Sequence, residues 1–162
     1  YFKEKEYNFS INLSIEDIQN TETINFILYF LNNYKIGYKV IFELTESEEI
    51  EQNEYVQKFI QEIKKHGSKI AIDDFGTGYS NFDYILKMNI DFIKLDGTLI
   101  KNIDHDQNMQ IIVETIVSFT QKLNMQTIAE YVHSENVLKK IKEIGIDYSQ
   151  GFYVGKPLPH II

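Results

Sequence analysis

The chain holds 162 residues, 43% hydrophobic, 14% aromatic and 25% charged, which is one globular domain's worth of material with enough apolar residues for a core. A formal net charge of -8 argues against a nucleic-acid polymer or an anionic membrane as the main partner. All 16 cationic residues are Lys, with no Arg, Cys or Trp, so a disulfide framework and a thiolate metal site are excluded, and any phosphate recognition must use Lys, backbone N–H groups or a metal.

Along the chain, short β-rich runs alternate with longer helical patterns. Residues 1–8 carry charge without the apolar stretch of a signal peptide, and no apolar run approaches the roughly eighteen residues of a membrane span. A cytoplasmic chain is expected, whether or not its parent is membrane-tethered. Ser10–Leu13 reads as a strand and Thr21–Tyr34 as a helix. Lys39–Leu44 is the second strand. Gln52–His66 is amphipathic, with Tyr55, Phe59, Ile60 and Ile63 on one face and Gly67 as its stop. Lys69–Asp73 is the third strand, followed by a short helix over 81–88. Asp91–Leu95 is the fourth, followed by a helix from about Asn108 to Leu123. Met125–Ala129 is the fifth, and Ser134 and Gly145 bracket a helix ending near Ile144. A last short strand lies near Asp147–Gln150. No repeat beyond this alternation is evident, and both Pro residues fall at the end, so a single domain over 1–162 is expected.

Ile/Val/Phe-rich strands separated by helices predict parallel βαβ units, in either a doubly wound sheet or a (β/α)8 barrel. The strand ends decide between them. Asn12, Glu43, Asp73 with Asp74, Lys94 with Asp96, Glu130 and Gln150 are all polar where a core residue would otherwise stand. A doubly wound sheet gathers its site at one or two loops, whereas every strand of a barrel ends at one mouth. The expected fold is therefore a TIM-like α/β barrel. A barrel takes about 250 residues and eight units, so this chain would hold about six and be incomplete.

Asn12, Glu43, Asp73, Asp74 and Glu130 would line that mouth with hard oxygen donors, suited to Mg2+, Mn2+ or Ca2+ rather than thiolate- or imidazole-bound zinc. Two such ions could clamp an in-line displacement at phosphorus, with Lys94 orienting water or neutralising developing charge. The bland alternative is that each strand-end carboxylate merely caps the next helix. Asp73 and Asp74 are adjacent, and side chains alternate along a strand, so one should face the metal and the other the rim. The glycines of Phe75-Gly76-Thr77-Gly78 would let the following loop move.

Glu43-Leu44-Thr45-Glu46, Asp73 to Ser80, Ile93-Lys94-Leu95-Asp96, Ala129-Glu130 and Gln150 to Pro159, with Asn12-Leu13-Ser14 upstream, together resemble the EAL-domain family in order and over almost the whole chain. The resemblance implies a TIM-like barrel that hydrolyses cyclic di-GMP to linear pGpG with Mg2+ or Mn2+. Asn12, Glu43 and Asp73 would be metal ligands and Asp74 would serve a second metal. Glu46 would anchor the loop of Phe75, Gly76, Thr77 and Gly78. Lys94 would contact the catalytic water with Asp96 beside it, Glu130 would act as metal-linked base or ligand, and Gln150 would close the far side.

Three departures qualify this. The family's Glu-x-Leu strand with its Arg is absent from these residues and is expected upstream of Tyr1. The helix expected after the closing Pro-Leu-Pro is also absent. The family's Ala-Glu-Gly-Val-Glu segment reads Ala129-Glu130-Tyr131-Val132-His133 here. The lack of Arg, which reads first as nucleotide-composition bias, thus coincides with loss of the family's phosphate-binding strand. Open sheet edges would favour a homodimer, and a sensory or GGDEF-type domain is expected in the parent. These 162 residues alone are expected to be inactive or nearly so. Two further readings compete: a degenerate EAL domain that binds cyclic di-GMP or a protein without turnover, and, from residue types alone, a metal-assisted proton-abstracting barrel with Lys94 as base.

Overall fold

The computed structural model describes residues 6–46, 53–76 and 82–158. The readings made above for Gln52, Thr77, Gly78, Tyr79, Ser80, residue 81 and Pro159 lie outside these residues. Among the described residues there are six strands: β1 (Phe9–Leu13), β2 (Val40–Thr45), β3 (Lys69–Phe75), β4 (Phe92–Leu95), β5 (Gln126–Ala129) and β6 (Tyr148–Ser149). Between them lie α1 (Ile15–Gln19), α2 (Thr21–Tyr34), α3 (Glu54–Lys65), α4 (Phe82–Met88), α5 (Gly97–Ile100), α6 (Gln107–Lys122) and α7 (Glu135–Ile144). All six expected strands form, and the α/β class holds.

The chain divides into two compact units, residues 1–72 with 81–91 and residues 73–80 with 92–162. In the first unit the sheet runs β1-β2-β3, and β1 and β2 are parallel in a register that sets Asn12 beside Glu43. Helix α2 starts on Asn20, whose side chain accepts from the N–H groups of Glu22 and Thr23. The short α1, which sequence periodicity missed, is fixed by a capping box: Ser14 Oγ accepts from Asp17 N–H, and Asp17 Oδ2 accepts from Ser14 N–H at 2.9 Å. Helix α3 buries Val56, Phe59, Ile60 and Ile63, spaced i, i+3, i+4, i+7, and Phe59 meets Phe42 edge-on at 5.4 Å. Val56, not the expected Tyr55, completes that face, and Tyr55 is exposed.

In the second unit the order runs from the end of β3 through β4 and β5 to β6, with β4–β5 and β5–β6 parallel. Its core holds Phe75, Ile93, Leu95, Ile103, Val113, Val132 and Val137. Helix α7 is bracketed as its sequence predicts: Ser134 Oγ accepts from Val137 N–H, and Gly145 takes the left-handed conformation (φ 90°) of a helix stop.

One device recurs in both units and was not read from the sequence. Asp91 follows Ile90 and precedes β4, and its carboxylate accepts the N–H of Ile70 at 2.7 Å and pairs with Lys64. Asp147 follows Ile146 and precedes β6, and its carboxylate accepts both the N–H (2.7 Å) and the hydroxyl (3.0 Å) of Thr127. Each aspartate's carboxylate accepts a backbone N–H near the start of an earlier strand, Ile70 of β3 or Thr127 of β5.

Candidate active site

The site is built on the C-terminal ends of β3, β4 and β5 in the second unit. Lys94 is the third residue of β4, a strand buried along its whole length, and its side chain is only 5% exposed. Its ammonium reaches Asp73 Oδ1 at 2.7 Å and Glu130 Oε1 at 3.0 Å. A buried cation so placed must be paired, and the two flanking strand ends supply the partners.

Strand alternation predicts that only one of Asp73 and Asp74 faces the metal, and Asp74 departs from that alternation. Its backbone is left-handed (φ 55°), and single carboxylate oxygens of Asp73, Asp74 and Glu130 all lie within 4.8 Å of one another. The positive φ breaks the period of two, so both aspartates can offer an oxygen to one point. Aspartate tolerates this conformation better than most residues do.

Electrostatics follow from this crowding. Burial, with the negative charges of Asp73 and Asp96, pushes the Asp74 carboxyl above its usual range, and Lys94 only partly offsets the rise. Burial also raises the Glu130 carboxyl, with Asp73 and Asp74 adding to the rise and the hydrogen bond and charge of Lys94 opposing it. Burial acts on Asp96 in the same sense, but hydrogen bonds from Thr98 and Gly97 and the charge of Lys101 outweigh it and hold that carboxyl low. Asp96 is the N-cap of α5, accepting from Thr98 N–H at 2.8 Å.

The remaining expected residues fall as follows. Glu43 is buried in β2 and Asn12 exposed in β1, neighbours in the first unit. Glu46 is half-buried just past β2. Phe75 differs from its reading as a loop residue, since it ends β3 and is 1% exposed, a core position. Gly76 follows at φ 99° against Leu99, so close that an added Cβ would sit 2.5 Å from Leu99 Cδ1. Gln150 follows β6, is exposed, and its N–H donates to Ala129 C=O at 2.8 Å.

Tyr131 and His133 do not belong to the carboxylate group. Tyr131 is left-handed (φ 55°), a backbone conformation that costs a non-glycine residue about 1–3 kcal/mol. Its ring is met edge-on by His133 at 5.6 Å, and His133 Nε2 lies 2.8 Å from Lys101 C=O. These two residues line a cavity of about 410 Å3 beside Glu130 and Asp96. Sequence composition gave no sign that this cavity existed.

Three hard oxygen donors converging beside a lysine fit a divalent cation such as Mg2+ or Mn2+. Comparison with known proteins gives the same direction. The sequence profile of the family described as EAL domain matches residues 2–157. A cyclic di-GMP phosphodiesterase of Borreliella burgdorferi, PdeA, is 38% identical over 152 residues, covering 93% of this chain and 23% of that protein. The PaMucR phosphodiesterase, solved as a c-di-GMP complex, superposes with a TM-score of 0.85 at 28% identity, over 95% of this chain and 63% of that one. Klebsiella pneumoniae BlrP1, solved with manganese and cy-diGMP, superposes with a TM-score of 0.81 at 28% identity, over 90% of this chain and 38% of that one. The chain spans about a quarter of the length of the first curated relative it matches.

Proposed function

The chain belongs to the EAL-domain family, and from that premise we propose that it is the hydrolytic part of a cyclic di-GMP phosphodiesterase that cuts the cyclic dinucleotide to linear pGpG. The observation that carries this reading is the convergence of Asp73, Asp74 and Glu130 oxygens within 4.8 Å, with Lys94 bonded to two of the three residues. Fixed carboxylates around a buried lysine suit phosphoryl chemistry, where positioning and charge compensation supply most of the catalysis.

Asp73 and Glu130 would hold a Mg2+ or Mn2+ and Asp74 would serve a second ion, with Asn12 and Glu43 as the further ligands that the family resemblance implies. Such ions make bound water nucleophilic near neutral pH and neutralise the phosphodiester. Lys94 stands as a fixed cation where negative charge grows on the transferring phosphorus oxygens. Glu130, paired with Lys94, would act as metal ligand or as the base that takes the proton of the attacking water. Asp96 keeps α5 against β4, and Gln150 bounds the pocket on the β6 side. We expect the 162 residues by themselves to turn over substrate slowly or not at all, because they carry no Glu-x-Leu strand and no Arg. The proposed assembly is a homodimer of a longer parent with a sensory or GGDEF-type domain.

Lys94 clamped between two carboxylates does not suit a proton-abstracting base. The binding-only reading rests on Tyr131 and His133, which line the cavity beside Glu130 and Asp96 where the family carries Gly and Glu, and restoring those two residues tests it: a large gain in hydrolysis would favour it. The test uses the parent protein with Mn2+ and cyclic di-GMP. Lys94→Met and Glu43→Gln should each lower kcat by roughly 10^2–10^4-fold, with circular dichroism reporting a retained fold. Wild-type turnover in both variants would overturn the assignment.

A further inference from the structure

Tyr131 is an outlier in two respects at once. A bulky side chain occupies a left-handed backbone position, φ 55°, and its ring gains little from burial, since the residue is 60% exposed. Strain that packing does not repay points to a functional contact. The ring is not loose: Gly97 lies directly beneath, where an added Cβ would stand 2.9 Å from Tyr131 Cβ, and His133 meets its face edge-on while bonded to Lys101 C=O.

The cavity beside the ring has chemically mixed lining, which includes the carboxylates of Asp96 and Glu130 and the exposed rings of Tyr131 and Phe152. Carboxylates repel a phosphate and accept hydrogen bonds from N–H donors. Exposed rings offer flat apolar faces. A nucleobase bearing N–H groups suits both kinds of lining, with Asp96 as an acceptor, while its phosphodiester would lie at the carboxylates around Lys94 once a divalent cation is bound there.

We propose that Tyr131 is a specificity contact on which a purine base of the bound dinucleotide stacks, and that its strained backbone is retained to present the ring. This rests on the phosphodiesterase reading above. Base–aromatic stacking predicts that removing the ring weakens binding by roughly 5- to 150-fold.

The test is equilibrium binding of cyclic di-GMP and cyclic di-UMP to the parent protein with Ca2+ in place of the catalytic metal. Tyr131→Phe keeps the face and should retain wild-type affinity. Tyr131→Gly removes the ring and relaxes the backbone, so it folds at least as well; it should lose cyclic di-GMP affinity, and lose less for the smaller pyrimidine ligand. Under turnover with Mn2+ its KM should rise while kcat stays near the wild-type value. Unchanged affinity in Tyr131→Gly overturns the proposal, as does equal loss in Tyr131→Phe. Tighter binding or faster turnover in Tyr131→Gly also overturns it, since the ring would then obstruct the ligand. A wild-type protein that binds neither dinucleotide fails the phosphodiesterase reading itself, a result distinct from binding that ignores Tyr131.

Discussion

Asp74 concentrates several forces in one residue. Its left-handed backbone brings its carboxylate toward Asp73 and Glu130, and the crowding raises its carboxyl above the usual range. A carboxyl whose folded pKa is raised holds its proton longer in the native than in the unfolded state. Stability of the metal-free protein therefore falls as pH climbs from the ordinary Asp value through the raised one, and the penalty persists above it. Asp74→Asn removes that charge and suits a positive φ. The variant should melt a few degrees higher than wild type at pH 7 without metal, with the gain vanishing at pH 3, and should bind Mn2+ roughly tenfold or more weakly. Thermal melts across pH and calorimetric Mn2+ titration check both halves. A lower apo melting temperature at pH 7 would contradict the crowding argument.

At the scale of elements, the aspartate that precedes a strand matters more than the strand's own propensity. Strand β6 has two residues and pairs with β5 through only Ile128–Tyr148 and Ala129–Ser149. Asp147 supplements this by accepting two hydrogen bonds from Thr127, which is 1% exposed. Asp147→Ala would strand a buried N–H and a buried hydroxyl, at a cost of about 2 kcal/mol. In a chain of this size that corresponds to a fall in melting temperature of about 4–8 °C. Asp147→Asn keeps an acceptor and should lose less. An alanine variant as stable as wild type would show that backbone pairing alone fixes β6.

For the whole molecule, net charge and site charge point the same way. The chain carries -8 overall, and three of its carboxylates converge near Lys94. A divalent cation bound there relieves local repulsion only in the folded state, so it stabilises by mass action. At Mn2+ concentrations near 100 times Kd the gain is about 2.7 kcal/mol, or about 5–11 °C in melting temperature. Excess EDTA should reverse it, and differential scanning calorimetry reads both directions. No change with Mn2+ would count against the carboxylate group as a metal site. Among the described residues no helix is long and apolar enough to cross a membrane.

The alternation of strands and helices, the caps Ser134 and Gly145 and the polar strand ends were legible in the sequence because each depends on residues close together in the chain. The phase of α3 was legible only to within one residue, since Tyr55 and Val56 are both plausible until a partner surface selects Val56. Helix α5 escaped because four residues carry no measurable period. The meeting of Asp73 with Asp74 was implied by the family resemblance and opposed by strand alternation. A single backbone angle, imposed by the surrounding fold, overrode the alternation that the residue types predict. The same holds for Tyr131, which departs from the family's Gly and whose place beside Gly97, His133 and the cavity is set by tertiary packing. Sequence by itself determined which chemical groups this protein carries to its strand ends. Tertiary structure decided which of them share a site, because distance and backbone conformation are properties of the folded chain.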